Sequence, residues 1–373
     1  MNFPNINIKT ISFFLSVLLS IFGLGGTLGC LPAYAALDSW NETPTKQAIT
    51  DFVDKVIADG VPVKDRIAVF DNDGTLWAER PHYFQEDFIN SRLPELPKQK
   101  VSKLLKMTQK EIDQTGGHPI SEEGKTFLSE IPVVSGLTTG EYKSLAHDFL
   151  VTTKHNELTS DNDEGYKRFD TEYIKLTYKP VIELVNYLKE NDFKVYICSG
   201  GGIYFVRSFS DEAYGIPSEE VIGSAIKTRY VESDTTDGLG GSLVRQLGLA
   251  HYDDQQGKPV GIELFIGKRP LIAVGNSSGD FEMFKYTDAG VGNSLIVLIN
   301  HDDCVREYKY NDVPGSTHLE EDEDDNLVEV PDNESLDEAQ NRDNWIVVSM
   351  KDDFNTIFDP IPPSRTPPMC PEF

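Results

Sequence analysis

Over residues 44–59 the apolar side chains recur at helical spacing, with Ala48, Ile49, Phe52, Val53, Val56 and Ile57 on one face, which predicts an amphipathic helix. The pattern then changes. Residues 66–70 (Arg-Ile-Ala-Val-Phe) form a short, nearly unbroken apolar run, as in a strand buried on both faces of a parallel sheet. Runs of the same kind return at 194–198, 271–274 and 295–299, with helical patterns between them. Strand and helix in alternation predict a doubly wound α/β fold with helices on both faces of the sheet.

Residues 71 to 193 separate the first two strands, far more than an ordinary crossover needs. Residues 78–175 are therefore expected to form an inserted, mainly helical cap on a core made of 36–77 and 176–358. Helical patterns fall near 82–92, 98–113, 121–130 and 140–153, broken by Pro94, Pro97, Gly116-Gly117 and Pro132. A second, smaller insertion at 226–256 alternates around Asp237-Gly-Leu-Gly-Gly241 and predicts a β-hairpin.

The 373 residues carry 34 Lys and Arg against 61 Asp and Glu, a net charge of −27. So acidic a chain does not hold nucleic acid through its overall field, because phosphate binding draws on Lys and Arg. Eleven of the acidic residues fall between Glu320 and Glu338 with no basic residue among them, and 315–340 is expected to be a solvated acidic loop. The tail 359–373 is proline-rich and expected to be extended.

The first 35 residues read as a secretory signal peptide: Lys9, an apolar run from Ile11 to Leu24, then Ala33-Tyr34-Ala35 as the cleavage site before Ala36. The apolar run is short of the ~20 residues that span a bilayer, and Thr27-Leu28-Gly29 is a poor signal for lipid attachment at Cys30. The mature chain is thus expected in the periplasm or outside the cell, with no stable membrane span. It keeps Cys198, Cys304 and Cys370, and an oxidising compartment permits one disulfide. Cys198 lies in a buried strand, which favours Cys304–Cys370 without deciding it.

The sharpest chemical signal is Asp71-Asn72-Asp73-Gly74-Thr75-Leu76, directly after the strand 66–70. Ligands of open α/β sheets bind beyond the carboxyl ends of the strands, where this loop emerges. Carboxylates at i and i+2 can face one cation; a calcium loop, however, would place its glycine sixth and close with a glutamate at the twelfth position, and this loop does neither. Ser199-Gly200-Gly201-Gly202 follows the second strand, and Gly275-Asn276-Ser277-Ser278-Gly279-Asp280 follows the third. Lys258 opens an apolar-periodic helix with Pro259 in its first turn, at the carboxyl edge of the sheet. Lys268, just before the strand 271–274, falls at the opposite edge.

In this order the motifs resemble those of the haloacid dehalogenase superfamily, over about residues 37–358. Residues 37–49 and 71–80 look like a group of secreted bacterial hydrolases similar to phosphoserine phosphatases. The resemblance implies a Rossmann-like core with the cap between the first and second motifs. It implies a Mg²⁺-dependent phosphatase in which Asp71 is the nucleophile toward a small phosphomonoester and Asp73 the general acid and base. Ser199, Gly200 and Lys258 would bind the phosphoryl group, and Asp71, Asp73, Asn276 and Asp280 the metal. Glu79 and Arg80, just past the first motif, are candidates for substrate specificity, with Trp77, His82 and Tyr83 nearby. The family most often has Asp where this chain has Asn276, which removes a negative charge from the metal site. Asp73 argues against a dehalogenase, since halide needs no proton to leave, and Asn72 argues against the ion-pump branch. A phosphotransferase on the same scaffold and a non-catalytic secreted binding protein are the alternatives. His301-Asp302-Asp303, after the strand 295–299 at the same edge of the sheet, could form a network behind the site, but a solvated loop is the expected reading.

Overall fold

In the computed structural model the chain is described over residues 37–92, 122–155, 168–233, 240–290, 292–310, 317–321, 327–331 and 333–363. All of these lie in one unit, Ala35–Phe373. The expected signal peptide, the helical pattern at 98–113, residues 234–239 of the hairpin turn, and most of the proline-rich tail lie outside them. So does Cys370: Cys304 is disulfide-bonded and Cys198 is free and buried.

The strands in chain order are β1 (Ile67–Phe70), β2 (Lys194–Gly202), β3 (Val221–Glu232), β4 (Gly241–His251), β5 (Ile272–Gly275), β6 (Leu295–Asn300), β7 (Thr317–Glu321), β8 (Leu327–Pro331) and β9 (Trp345–Ser349). Seven of them form one sheet in the order β4-β3-β2-β1-β5-β6-β9, parallel throughout except for β4. The chain winds outward from β1 through β2 to β3, then returns to lay β5, β6 and β9 on the other side of β1. This is the doubly wound, Rossmann-like order, and its switch point lies between β1 and β5.

Alternation along the strands explains why both faces are buried. Ala68, Phe70, Val195, Ile197, Val274 and Val297 belong to one apolar cluster, whereas Val69, Cys198, Ala273, Ile296 and Leu298 belong to a second. Helix α1 (Pro44–Ala58) starts on a Thr43 side chain that accepts from the Lys46 amide, and buries Ile49, Val53 and Val56. Ile57, expected on the same face, is exposed. The hairpin β3–β4 is present, and its first strand continues β3, whose residues Val221–Ser224 pair with β2 in the core sheet. β9 completes the sheet, beyond the four strands that the apolar runs predict.

The inserted segment supplies α2 (Phe84–Arg92), α3 (Glu122–Val134) and α4 (Thr139–Thr152). α3 runs through position 132, where a break was expected: near the end of a helix a proline forfeits a single backbone bond, and the helix stops soon after, before Gly136 at φ +99°. α4 opens on a reciprocal pair in which Thr138 and Glu141 each bond the other's backbone N–H. Besides two short helical turns at Ile203–Val206 and Ser210–Tyr214, the core helices that follow are α5 (Lys179–Glu190), α6 (Gly257–Phe265), α7 (Phe281–Asp288) and α8 (Glu334–Ala339). Within the expected acidic loop, β7 and β8 pair antiparallel, and Asn333 caps α8 through the Leu336 amide. Alternation at Leu327-Val-Glu-Val and an Asn cap before a helical turn are local signals that the run of like charge obscured.

A buried polar cluster joins the cap to the core. Glu130 of α3 accepts from Arg245 of β4, from the Tyr142 hydroxyl of α4 at 2.6 Å, and from Gln85 of α2. The Arg245 guanidinium lies 3.6 Å from the centre of the Tyr142 ring. Removing one partner of a buried ion pair strands the other charge away from water, at a cost of about 3–5 kcal/mol. R245M should therefore lower stability by about that much in urea denaturation. R245M/E130Q, which leaves no charge stranded and keeps hydrogen bonds for Gln85 and Tyr142, should recover a large part of the loss.

Candidate active site

The loop after β1 is held from both sides. The Asp71 amide donates to the Val274 carbonyl of β5 at 2.8 Å, and the chain then turns so that the Gly74 amide meets the Trp77 carbonyl at 3.0 Å. Gly74 has φ +68°, and a Cβ there would run into the Asn276 amide and the Glu79 carboxyl, so both conformation and space require glycine. Just past the end of β6, His301 Nε2 donates to the Gly74 carbonyl at 2.6 Å. The His301 ring is fully buried, stacks on Tyr310 with centroids 4.3 Å apart, and sets Nδ1 3.4 Å from Glu307. The solvated loop expected at 301–303 is therefore incorrect for His301 and Asp303, both buried. Burial pushes the Glu307 carboxyl up, and His301 pulls it back.

Three charged side chains meet at the switch point. Lys258, in the first turn of α6, places Nζ 2.6 Å from Asp71 Oδ1 and 2.7 Å from Asp280 Oδ1, and all three are buried. The other oxygen of Asp280 accepts the amides of Asn276 and Ser277 at 3.0 and 3.1 Å, which closes the loop after β5. Burial and the Asp280 carboxylate push the Asp71 carboxyl well above its ordinary value, against the pull of Lys258. Lys268 is far from this group: it is half exposed and pairs with Asp65.

Asp73 is held at both oxygens, by Trp77 Nε1 at 2.8 Å and by Asn72 Nδ2 at 3.1 Å, while the Tyr214 hydroxyl fixes the Asn72 oxygen at 3.1 Å. Trp77 packs in the core and stacks on Phe209 at 4.3 Å. Ser199 and Gly200 are buried past Ile197, which pairs with Phe70, so they stand at the same sheet edge as Asp71. Ser199 Oγ accepts the Gly201 amide at 3.1 Å, and the Gly202 amide is taken by Gln85 of the cap at 2.8 Å. Glu79 is buried and turned toward Asn276, whose Nδ2 donates to it at 3.2 Å. Arg80 lies with its guanidinium 4.3 Å from the Tyr310 ring centre, and His82 sits 3.5 Å from Asp87.

Sequence reading missed Gln85, Glu130 and Arg245, and favoured a solvated loop for His301. None sits in a motif; only the rarity of a buried Glu or Arg could have marked two of them, and burial is not written in the sequence.

Among the described residues no three or more His, Cys, Asp or Glu side chains cluster as a metal site. The loops after β1 and β5 carry oxygens of mixed kind: the Asp71 carboxylate, the Asp73 carbonyl two residues on, and the Asn276 amide oxygen, which meets the Thr75 hydroxyl at 3.2 Å. Such hard donors suit Mg²⁺, which commonly takes one or two carboxylates and keeps several waters. One ammonium between two buried carboxylates also leaves the site short of positive charge, so the donor set fits a divalent cation.

No known family profile matches the sequence, and no curated protein matches it. Solved structures do. A conserved protein of unknown function from Anaerococcus prevotii is 17% identical, with a TM-score of 0.41 over 69% of this chain and 86% of that one. A phosphoserine phosphohydrolase-like protein from Francisella tularensis is 16% identical, with a TM-score of 0.35 over 63% of this chain and 87% of that one. Cytosolic 5'-nucleotidase IIIB, bound to cytidine, is 13% identical, with a TM-score of 0.40 over 69% of this chain and 78% of that one. At these values none of them bears on activity. Among the described residues no helix is long and apolar enough to cross a membrane.

Behind Lys258 lies a further buried carboxyl. Asp253 takes the Cys198 thiol at 3.4 Å and faces His251 Nε2 at 2.9 Å, and burial raises it from 3.8 to about 6 although His251 opposes the shift. The unfolded chain gives up this proton near 3.8 and the folded one near 6, so the native state loses stability as the pH rises through that window. D253N should flatten the decline in melting temperature between pH 4 and 6.

Proposed function

We propose that this chain is a Mg²⁺-dependent phosphomonoester hydrolase that works through an aspartyl-phosphate on Asp71. The observation that carries this reading is the buried Asp71–Lys258–Asp280 group at the carboxyl ends of β1 and β5, with Asp73 two residues beyond the nucleophile. The resemblance of all four motifs to the haloacid dehalogenase superfamily supports it.

In the first step an Asp71 carboxylate oxygen attacks phosphorus, the phosphorus–oxygen bond to the alcohol breaks, and Asp73 gives its proton to the departing oxygen. In the second, Asp73 takes a proton from water as that water attacks phosphorus, and the bond to Asp71 breaks to release phosphate. Lys258, with Ser199 and the Gly200 amide, would hold phosphoryl oxygens where negative charge spreads in the transition state. Asp71, the Asp73 carbonyl and Asn276 would hold Mg²⁺, with Asp280 acting on the same site through Lys258 and the Asn276 amide. The cation supplies the charge that lets an anionic nucleophile approach an anionic ester. The hydrogen bonds from Trp77 and Asn72 fix the orientation of the Asp73 carboxyl.

The substrate class is a small phosphate ester. Residues 1–35 would direct the chain out of the cytoplasm, where such a hydrolase releases phosphate from esters it meets. The reading is tested by release of p-nitrophenol from p-nitrophenyl phosphate by the chain from Ala36 onward. Turnover should require Mg²⁺ and vanish with EDTA or in D71N, while D73N should lower kcat by about 10²–10⁴-fold. Activity that survives D71N would overturn the mechanism, and transfer of phosphate to added glycerol instead of water would make the protein a phosphotransferase.

A further inference from the structure

The Asn276 side chain has two ends of opposite character, and its surroundings decide which end faces which way. Its Nδ2 donates to Glu79 Oε1 at 3.2 Å, and its Oδ1 accepts the Thr75 hydroxyl at 3.2 Å. A hydroxyl can donate or accept and so tolerates either orientation of the amide, whereas a carboxylate only accepts. Glu79 is therefore the partner that fixes the orientation: it holds the nitrogen and leaves the oxygen on the side of the nucleophile loop. An aspartate at position 276 would need no such partner, because its two oxygens are equivalent.

Charge points the same way. Asn276 brings none, and the buried Glu79 carboxyl stands one hydrogen bond behind it. Arg80 Nε lies 4.0 Å from the same oxygen, Glu79 Oε1. Gly74 is what lets the pair meet, since a Cβ there would occupy the space between them.

We propose that Glu79 is a positioning residue for Asn276, and that the two act as one unit in place of a single carboxylate: the amide oxygen is the donor and Glu79 supplies its orientation and the charge. Glu79 is thereby assigned to the metal side of the site rather than to the substrate's leaving group. The proposal rests on the Mg²⁺-dependent reading above, and its test separates the two.

Mg²⁺ binding to the purified protein is measured by titration calorimetry for wild type, E79Q and E79Q/N276D, with urea midpoints of the metal-free proteins as a check on folding. E79Q sets two amides face to face, frees Asn276 to turn over, and should weaken Mg²⁺ about 10–100-fold. E79Q/N276D restores the hydrogen bond with its polarity reversed and keeps the total charge, so affinity should return toward wild type. Unchanged affinity in E79Q overturns the proposal, as does a double variant no better than E79Q. Should E79Q fail to fold, Mg²⁺ binding by the double variant supports the pair and its absence overturns it. Wild type that binds no Mg²⁺ overturns the metal-dependent reading itself.

Discussion

The Lys258 ammonium stands between two carboxylates that reach it from the segments after different strands, 2.6 Å from Asp71 and 2.7 Å from Asp280. Taking three charges out of water is costly, and close opposite charges with further hydrogen bonds are what make it tolerable. Much of the surrounding structure follows from that constraint. Asp71 is fixed by its amide bond to β5, Asp280 by two amides of its own loop, and Lys258 by the start of α6. The doubly wound order makes these three meetings coincide, because β1 and β5 are neighbours only where the chain reverses its direction across the sheet.

Around that centre the structure fixes positions by layers of hydrogen bonds. His301 holds the carbonyl of Gly74, Trp77 and Asn72 hold Asp73, and Tyr214 holds Asn72. Each of these partners is itself packed, Trp77 against Phe209 and His301 against Tyr310. The cap takes part through Gln85, which engages the Gly202 amide at the end of β2 and is in turn tied to Glu130. The placement of α2 and α3 is thereby coupled to the carboxyl end of β2, so the element expected to govern substrate choice also touches the backbone next to the residues expected to bind phosphate.

Sequence alone determined the parts of this protein whose physics is local. An unbroken apolar run buried on two faces announces a parallel strand, and β1, β2, β5 and β6 were legible for that reason. Asp71, Asp73, Lys258 and Asp280 were legible because each follows or opens an element at the carboxyl edge. Trp345-Ile-Val-Val-Ser of β9 carries the same kind of signal but stands beside the acidic run, whose charge also hid β7, β8 and α8. What only the tertiary structure decided is which distant polar groups face one another. Nothing within a few residues of Glu79 points to Asn276, of Glu130 to Arg245, or of His301 to Gly74, because a buried hydrogen bond between remote segments depends on how the sheet and cap close, and leaves no periodicity in either segment.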